Sequence, residues 1–499
     1  MTPPLQAEAL VVHLFVAADR PENEADLAYL HAVWQRCVDR WALTERVADL
    51  PADLGLRTGT GLLAGRKRPT ADGSRTPHVQ AALLRHEHDT YCLSVMREPV
   101  GATWTRLERE WESILNGLTA PTGLIGCAQV FLARLTGSGP PDPAQLSEAI
   151  RDRLPASLLA AGEWWRAGVT ADPGFAVWEA SERSDERALR RLVVVADADA
   201  DDLLSSWTWV VGDRALPALG RYLLNAARLR HQLRLWGTTR SRTMAARNAA
   251  DARVDRLLGL LDPATRGDPE VDALLSASVE IVSLQAGKVG LARTAAGLRE
   301  MRRTVEIATA NLSALGGETT LGPFADDRAL GAWFSQQLAD DETYLDAAKD
   351  RADQVAGLAD QILQRRVQKD RERLQHRQER FNLGLTGTVG AILMLLAAIQ
   401  SFEYAVPLPH LVQPAVVAAL GAVALLASLL VLRVAAPGAW WSEVLVWVGA
   451  GLVGATAAWV VVSAVIGDAG AVLTWRWAAV GLLVGVACPA AAAIGRRAR

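Results

Sequence analysis

Along residues 1–210, short apolar runs alternate with stretches of helical period. The runs ALVVHLFV (9–16), TGLLAGRK (60–67), VQAALLRH (79–86), TYCLSVMR (90–97), LIGCAQVFLARL (124–135), GFAVWEA (174–180) and RLVVVAD (191–197) predict strands. Helices are predicted over 23–47, 103–117 and 144–166. The second, third and fourth runs follow one another closely, as in an antiparallel meander. Helices between the later strands make the domain α+β, with a mixed sheet. The loop RKRPTADGSRTPH (66–78) is basic and rich in breakers, so it is expected to be exposed and mobile.

From about residue 215 the strand signals cease. Three helical tracts follow, 215–261, 268–313 and 327–401, divided by LDPATRGDP and LGGETTLGPF. In the third, Val355, Leu358 and Ile362 form an apolar stripe, and Val367, Leu374 and Phe381 recur every seven residues. Asp370 and Arg377 hold the alternate seam positions, so an antiparallel bundle or loose coiled coil is expected, not a strict zipper. The tract then reads RVQKDRERLQHRQERFNLGLTGTVGAILMLLAAIQ (366–400), passing from dense charge to none with no proline between.

Four charge-free windows follow, about 381–402, 411–432, 444–467 and 477–495. Crossing the hydrocarbon core takes about 20 apolar residues in a helix, so four transmembrane helices are expected. The chain thus divides into a cytoplasmic α/β domain (1–213), a long antiparallel helical stalk (214–380) and a transmembrane domain (381–499). Arg365, Arg366, Lys369, Arg371, Arg373, Arg377 and Arg380 precede the first window, and Arg496, Arg497 and Arg499 end the chain. This bias places both termini in the cytoplasm of a multi-pass protein of the cell (inner) membrane. The same basic stretch suits contact with membrane lipids. Gly384, Gly387, Gly451, Ala455, Gly481 and Gly485 are small residues spaced for close helix packing in lipid.

Candidate chemistry is sparse. The net charge of −3 gives no argument for nucleic-acid binding. Cys37, Cys92, Cys127 and Cys488 form no CxxC pair and read as free thiols of a reducing compartment. RHEHD (85–89) offers His86, His88 and Asp89, which two alternating strand positions could bring together around a metal. No second ligand cluster accompanies them, and a polar turn between strands is the favoured reading. Asp197, Asp199, Asp201 and Asp202 could hold a divalent cation, but they also suit a helix cap and an acidic first turn, which is favoured. There is no phosphate loop, no GxGxxG and no GxSxG elbow, and pairing Cys92 or Cys127 with a histidine as a nucleophile would need long-range geometry that local pattern does not supply. No catalytic residue, cofactor or metal is assigned, and by its motifs the chain is not an enzyme.

Four segments occur in a familiar order: EALVVHLFV, LLRHEHDTYCLSV, LRRLVVVADADADDLLSSWTW and ALPALGRYLLNAARLRHQLRLW. Over roughly residues 1–240 the chain resembles the CATRA proteins, the caspase- and TPR-repeat-associated components of bacterial conflict systems. That resemblance implies a caspase-like peptidase or TPR protein as partner, and a role in defence or regulated cell death. The order of parts is also similar to CorA-type magnesium channels, in which a cytoplasmic α/β domain leads through long helices into the membrane. The Gly-Met-Asn signature expected after the first span is missing from AAIQSFEYAVPLP, and four windows replace two. The expectation is therefore an anchored conflict-system component whose stalk couples a sensing domain to a membrane-perturbing or gating domain. The alternatives are a CorA-like divalent cation channel or a plain anchored scaffold. A homo-oligomer is expected.

Overall fold

The runs read as strands assemble into one nine-stranded mixed sheet. Its strands are β1 (Leu5–Ala17), β2 (Glu45–Arg46), β3 (Gly61–Lys67), β4 (Gln80–Glu87), β5 (Thr90–Arg97), β6 (Leu124–Leu135), β7 (Val169–Ala171), β8 (Phe175–Glu179) and β9 (Leu189–Ala196). The computed structural model describes residues 5–18, 24–48, 50–51, 54, 61–69, 80–180, 184–209, 215–261, 271–286, 290–317, 319–403, 412–435, 440–466 and 471–497. From residue 70 on, the basic loop lies outside them. Two compact units divide the chain, Met1–Ala359 and Asp360–Arg499.

In the first unit the strand order is β2-β3-β4-β5-β1-β6-β9-β8-β7. The β3-β4-β5 meander is antiparallel, and so is every other pair except the parallel β6–β9. Seven strands coincide with the apolar runs, whereas β2 and β7 are too short to display a period of two. Being central, β1 is buried on both faces, which is why its sequence is a continuous apolar run instead of an alternation.

Helices cover both faces of the sheet. On one lie α1 (Glu24–Trp41), α2 (Trp104–Leu115) and α3 (Pro143–Arg151), whose Leu30, Val33, Trp104, Trp111 and Ile150 pack with Val12, Leu14, Val95 and Phe131. Against the other, Val11, Phe15, Val130 and Val194 meet Leu219, Leu223 and Ala226 of α6 (Ala218–Leu261). The same core takes in α8 (Leu291–Leu315) through Leu298, Val305 and Leu312, and α9 (Pro323–Glu403) through Phe324, Phe334 and Leu338. The sheet and the root of the helical layer therefore share one core.

Three predicted helices change their limits. The helix over 144–166 breaks into α3, a single turn α4 (Ala156–Leu159) and a 3-10 turn at Trp164–Arg166, with Pro155 capping α4. A proline lacks the N–H needed to continue the preceding helix. The helix over 23–47 stops at Trp41 because Glu45 and Arg46 pair with β3. The tract 268–313 is two helices, α7 (Val271–Ala286) and α8, and Gly290 is the N-cap of the second. A short α5 (Asp201–Thr208) lies between β9 and α6.

The second unit holds the end of α9 and three apolar helices, α10 (Gln413–Ala435), α11 (Trp440–Ile466) and α12 (Ala471–Arg497), packed α10 on α11 and α11 on α12. Among the described residues two stretches are long and apolar enough to cross a membrane, Gln413–Leu430 and Val444–Ile466, while α12 carries a shorter one, Val472–Ala487. Residues 381–402 are helical within α9, but many of their side chains, including those at 384 and 387, lie outside the described residues. Those of 488–497 lie outside them altogether.

Candidate functional site

The RHEHD segment forms the tip of the β4–β5 hairpin. His88 and Asp89 make a two-residue link, and His88 adopts a φ of 58°, the left-handed conformation that so tight a reversal demands. Strand alternation ends at Glu87, so His86 and His88 do not share a strand face. His86 instead stacks on its cross-strand neighbour Tyr91, with ring centroids 4.8 Å apart. Among the described residues no three metal-ligating side chains come together.

Arg228 of α6 grips this tip. Its guanidinium donates to Thr90 Oγ1 at 3.0 Å and pairs with the Asp89 carboxylate. Beside the grip opens a cleft of about 560 Å³, within the range of small-ligand pockets. Ala17, His88, Asp89 and Ile125 at the strand ends form one wall, and Asn225, Arg228, His231 and Gln232 of α6 with Thr304, Ile307, Ala308 and Asn311 of α8 form the other. Asn311 Nδ2 donates to Asn225 Oδ1 at 3.1 Å, tying the two helices together across the floor. The cleft offers amide, hydroxyl and imidazole groups for hydrogen bonding.

The aspartates at 197–202 serve a different end. Asp197 Oδ2 accepts from Gly139 N at 2.9 Å and Asp199 Oδ2 from Ser138 Oγ at 3.1 Å, and Asp201 pairs with Arg134 at 2.8 Å. Because β6 and β9 are parallel neighbours, their C-terminal ends lie side by side and the carboxylates stitch the two exits together. The expected side-chain cap is absent. Ala200 is the N-cap of α5 with no side-chain bond, and Asp201 and Asp202 favour that helix only as acids of its first turn.

Cys37, Cys92 and Cys127 are buried free thiols. Burial pushes Cys92 and Cys127 up to about 12 and raises Cys37 as well, so all three stay protonated. On the same sheet face as Cys92, His13 is wholly enclosed, with Nδ1 bonded to Ser94 Oγ at 2.9 Å and Nε2 to the Thr208 carbonyl at 3.1 Å. Burial lowers it to about 4, against the Thr208 bond and with help from nearby Arg85. It is a neutral structural imidazole.

The most concentrated electrostatics in the unit carry no sequence signal. Asp327, in the first turns of α9, accepts at Oδ2 from Arg190 of β9 at 2.8 Å and the Tyr222 hydroxyl at 2.6 Å, and forms an ion pair with Arg230 of α6 at 2.6 Å. Arg190 also grips Glu179 of β8 through two bonds of 2.7 and 2.6 Å, and Arg187 adds a third at 3.1 Å. All six side chains are buried. Burial alone would raise the Asp327 carboxyl, but the Arg190 and Arg230 charges and the Tyr222 bond outweigh it and hold it at about 2. This cluster fastens the root of α9 to the sheet.

Further along α9, Arg365, Lys369, Arg371, Arg373 and Arg377 are exposed and Arg366 is half-buried, while the Arg380 side chain lies outside the described residues. In the second unit, Gly481 of α12 meets Gly454 and Ala458 of α11, and Gly485 meets Ala450 and Gly451. A Cβ at any of these glycines would collide with the facing helix, so the crossing requires positions without one. Ala455 is half-buried on the same helix.

Two family models match the chain. One describes the CASPASE and TPR Repeat-Associated N-terminal domain and covers residues 9–212; the other describes the corresponding C-terminal domain and covers residues 217–352. The cleft lies where the two matched regions meet, the strand ends coming from the first and α6 and α8 from the second. No curated protein and no solved structure matches the chain, so the likeness to CorA-type channels rests on the order of parts alone.

Proposed function

The chain belongs to the CATRA family, and on that premise we propose that it is a membrane-anchored component of a bacterial conflict system, working beside a caspase-like peptidase or a TPR protein. In this reading the first unit is the cytosolic sensor, and the cleft gripped by Arg228 is its input site. The apolar helices are the output, perturbing or gating the membrane, with both chain termini in the cytoplasm.

The observation that supports the coupling is α9. It is a single helix of 81 residues that starts at the buried Asp327 cluster and ends in the apolar stretch after Phe381. A helix without a breaker can carry a displacement or torque applied at its root. The basic residues 365–380 suit the cytoplasmic side of an anionic membrane, each worth about 1 kcal/mol close to its surface.

The test is expression of the full chain in bacteria, with and without a caspase-like peptidase from the same genome, read by a membrane-potential dye and by alkaline extraction of membranes. Retention in the membrane pellet with depolarisation on peptidase expression is expected. Retention without depolarisation under any activating condition would reduce the protein to an anchored scaffold, and recovery in the soluble fraction would overturn the reading.

A further inference from the structure

Arg228 uses one nitrogen of its guanidinium and leaves the others idle. Nη2 makes its bonds to the hairpin tip, to the Asp89 carboxylate, Thr90 Oγ1 and the Glu87 carbonyl. Nε is enclosed without an acceptor, and among the described residues Nη1 has none either. A donor withdrawn from water with no acceptor is destabilising, so an acceptor entering the cleft at this point is favoured.

The cleft is also elongated. Asn225, Arg228 and Gln232 stand three and then four residues apart on α6, and Thr304, Ile307 and Asn311 repeat that spacing on α8. Such spacing sets each row along one face of its helix. Each row covers about 10 Å at helical rise, the length of about three residues of extended chain. Asn225 bonds to Asn311, the first residue of one row to the last of the other, so the two rows flank the cleft antiparallel.

We infer that the cleft takes the carboxyl end of an extended peptide, with the terminal carboxylate on Arg228. This rests on the reading of the cleft as the input site and names what enters it. Charge selects the carboxylate. Arg228 is the only lysine or arginine among the lining residues, and it already shares its charge with Asp89. One such guanidinium suits a single carboxylate and leaves a phosphate dianion undercompensated. The walls suit peptide units. Gln232 has no side-chain partner among the described residues, and Asn311 uses one donor, so amide donors and acceptors remain for backbone C=O and N–H groups. Ile125 and the half-exposed Ile307 offer an apolar contact to one side chain. Peptide hydrolysis is the reaction class that supplies this ligand, since each cut adds water and leaves a new carboxylate. The cleft therefore recognises a peptidase product and not the uncut chain.

The test titrates the full chain in detergent into fluorescently labelled alanyl-leucyl-alanine, as the free acid or the C-terminal amide, and reads anisotropy. Saturable binding is expected, several-fold tighter for the acid. Arg228→Gln should abolish that preference. Ile307→Trp narrows the cleft without touching the grip and should weaken both forms several-fold. No saturable binding at millimolar peptide, equal binding of acid and amide, or a preference that survives Arg228→Gln would overturn the inference. So would displacement of the labelled acid by inorganic phosphate or adenosine monophosphate at lower concentration than by unlabelled peptide, which would assign the cleft to phosphate compounds. None of these readouts uses a membrane potential. Failure to bind the acid leaves the membrane reading standing, and binding without depolarisation in cells leaves this inference standing.

Discussion

Asp327 has no exposed surface and lies between two arginines and a tyrosine hydroxyl. Removing the charge from one side of such a cluster strands the other, so Asp327→Asn should cost about 3–5 kcal/mol, read as a lowered denaturation midpoint of the first unit. Its carboxyl sits near 2 in the fold and near 3.9 unfolded. The stabilisation it gives is therefore complete above about pH 4 and is lost as pH falls through about 2. His13 acts in a higher window. With a folded value of about 4 and an unfolded one near 6.5, the fold holds it neutral and loses stability as pH drops from about 6.5 to 4, by about 3 kcal/mol in all. Comparing urea midpoints at pH 7 and pH 5 for the unmodified chain and His13→Gln should show a smaller drop in the variant. At this scale the sequence is legible only where contacts are local. RHEHD reads as a turn because its residues adjoin, whereas Arg190 and Asp327 are 137 positions apart and nothing in either neighbourhood announces the pair.

The exposed reach of α9 makes the sharpest test among the elements. Around Arg371 its side chains project into solvent, so nothing there but the helix itself resists a break. Arg371→Pro should cost about 3 kcal/mol locally, with the thermal midpoint of the first unit unchanged and only the coupling lost. In the second unit, Gly481→Leu should destabilise the detergent-solubilised protein by about 1–3 kcal/mol through overpacking, whereas the exposed Leu483→Ala should be nearly silent in the same melt. Strands and long helices were readable because period and length mark them. Breaks inside helical tracts were less so. Pro155 and Gly290 punctuate stretches whose apolar period continues on both sides, and periodicity alone runs through them. Of the acids at 197–202, Asp201 and Asp202 stand in the first turn of α5 as expected, but no side-chain cap forms. Asp197 and Asp199 bond instead to Gly139 and Ser138 just after β6, 58 and 61 positions away, which local pattern does not announce.

For the whole molecule, the unit Met1–Ala359 has its own double-faced core and should be obtained as a soluble fragment. The expected boundary near residue 213 lies between the two matched regions, and α6, α8 and the root of α9 complete the core on one sheet face, a long-range arrangement invisible to local pattern. Family membership was legible from segments that proved structural: the β4–β5 hairpin, β9 with α5, and α6. The cleft at the junction of the two matched regions was not, since its walls meet only after folding.

The proposed coupling of the first unit to the apolar helices through α9 is tested most directly by recording membrane potential in cells that co-express the caspase-like peptidase with either the unmodified chain or Arg371→Pro, at matched amounts in the membrane fraction. Depolarisation with the unmodified chain and at least a several-fold loss of it with the proline variant are expected. Equal depolarisation by both would contradict that coupling.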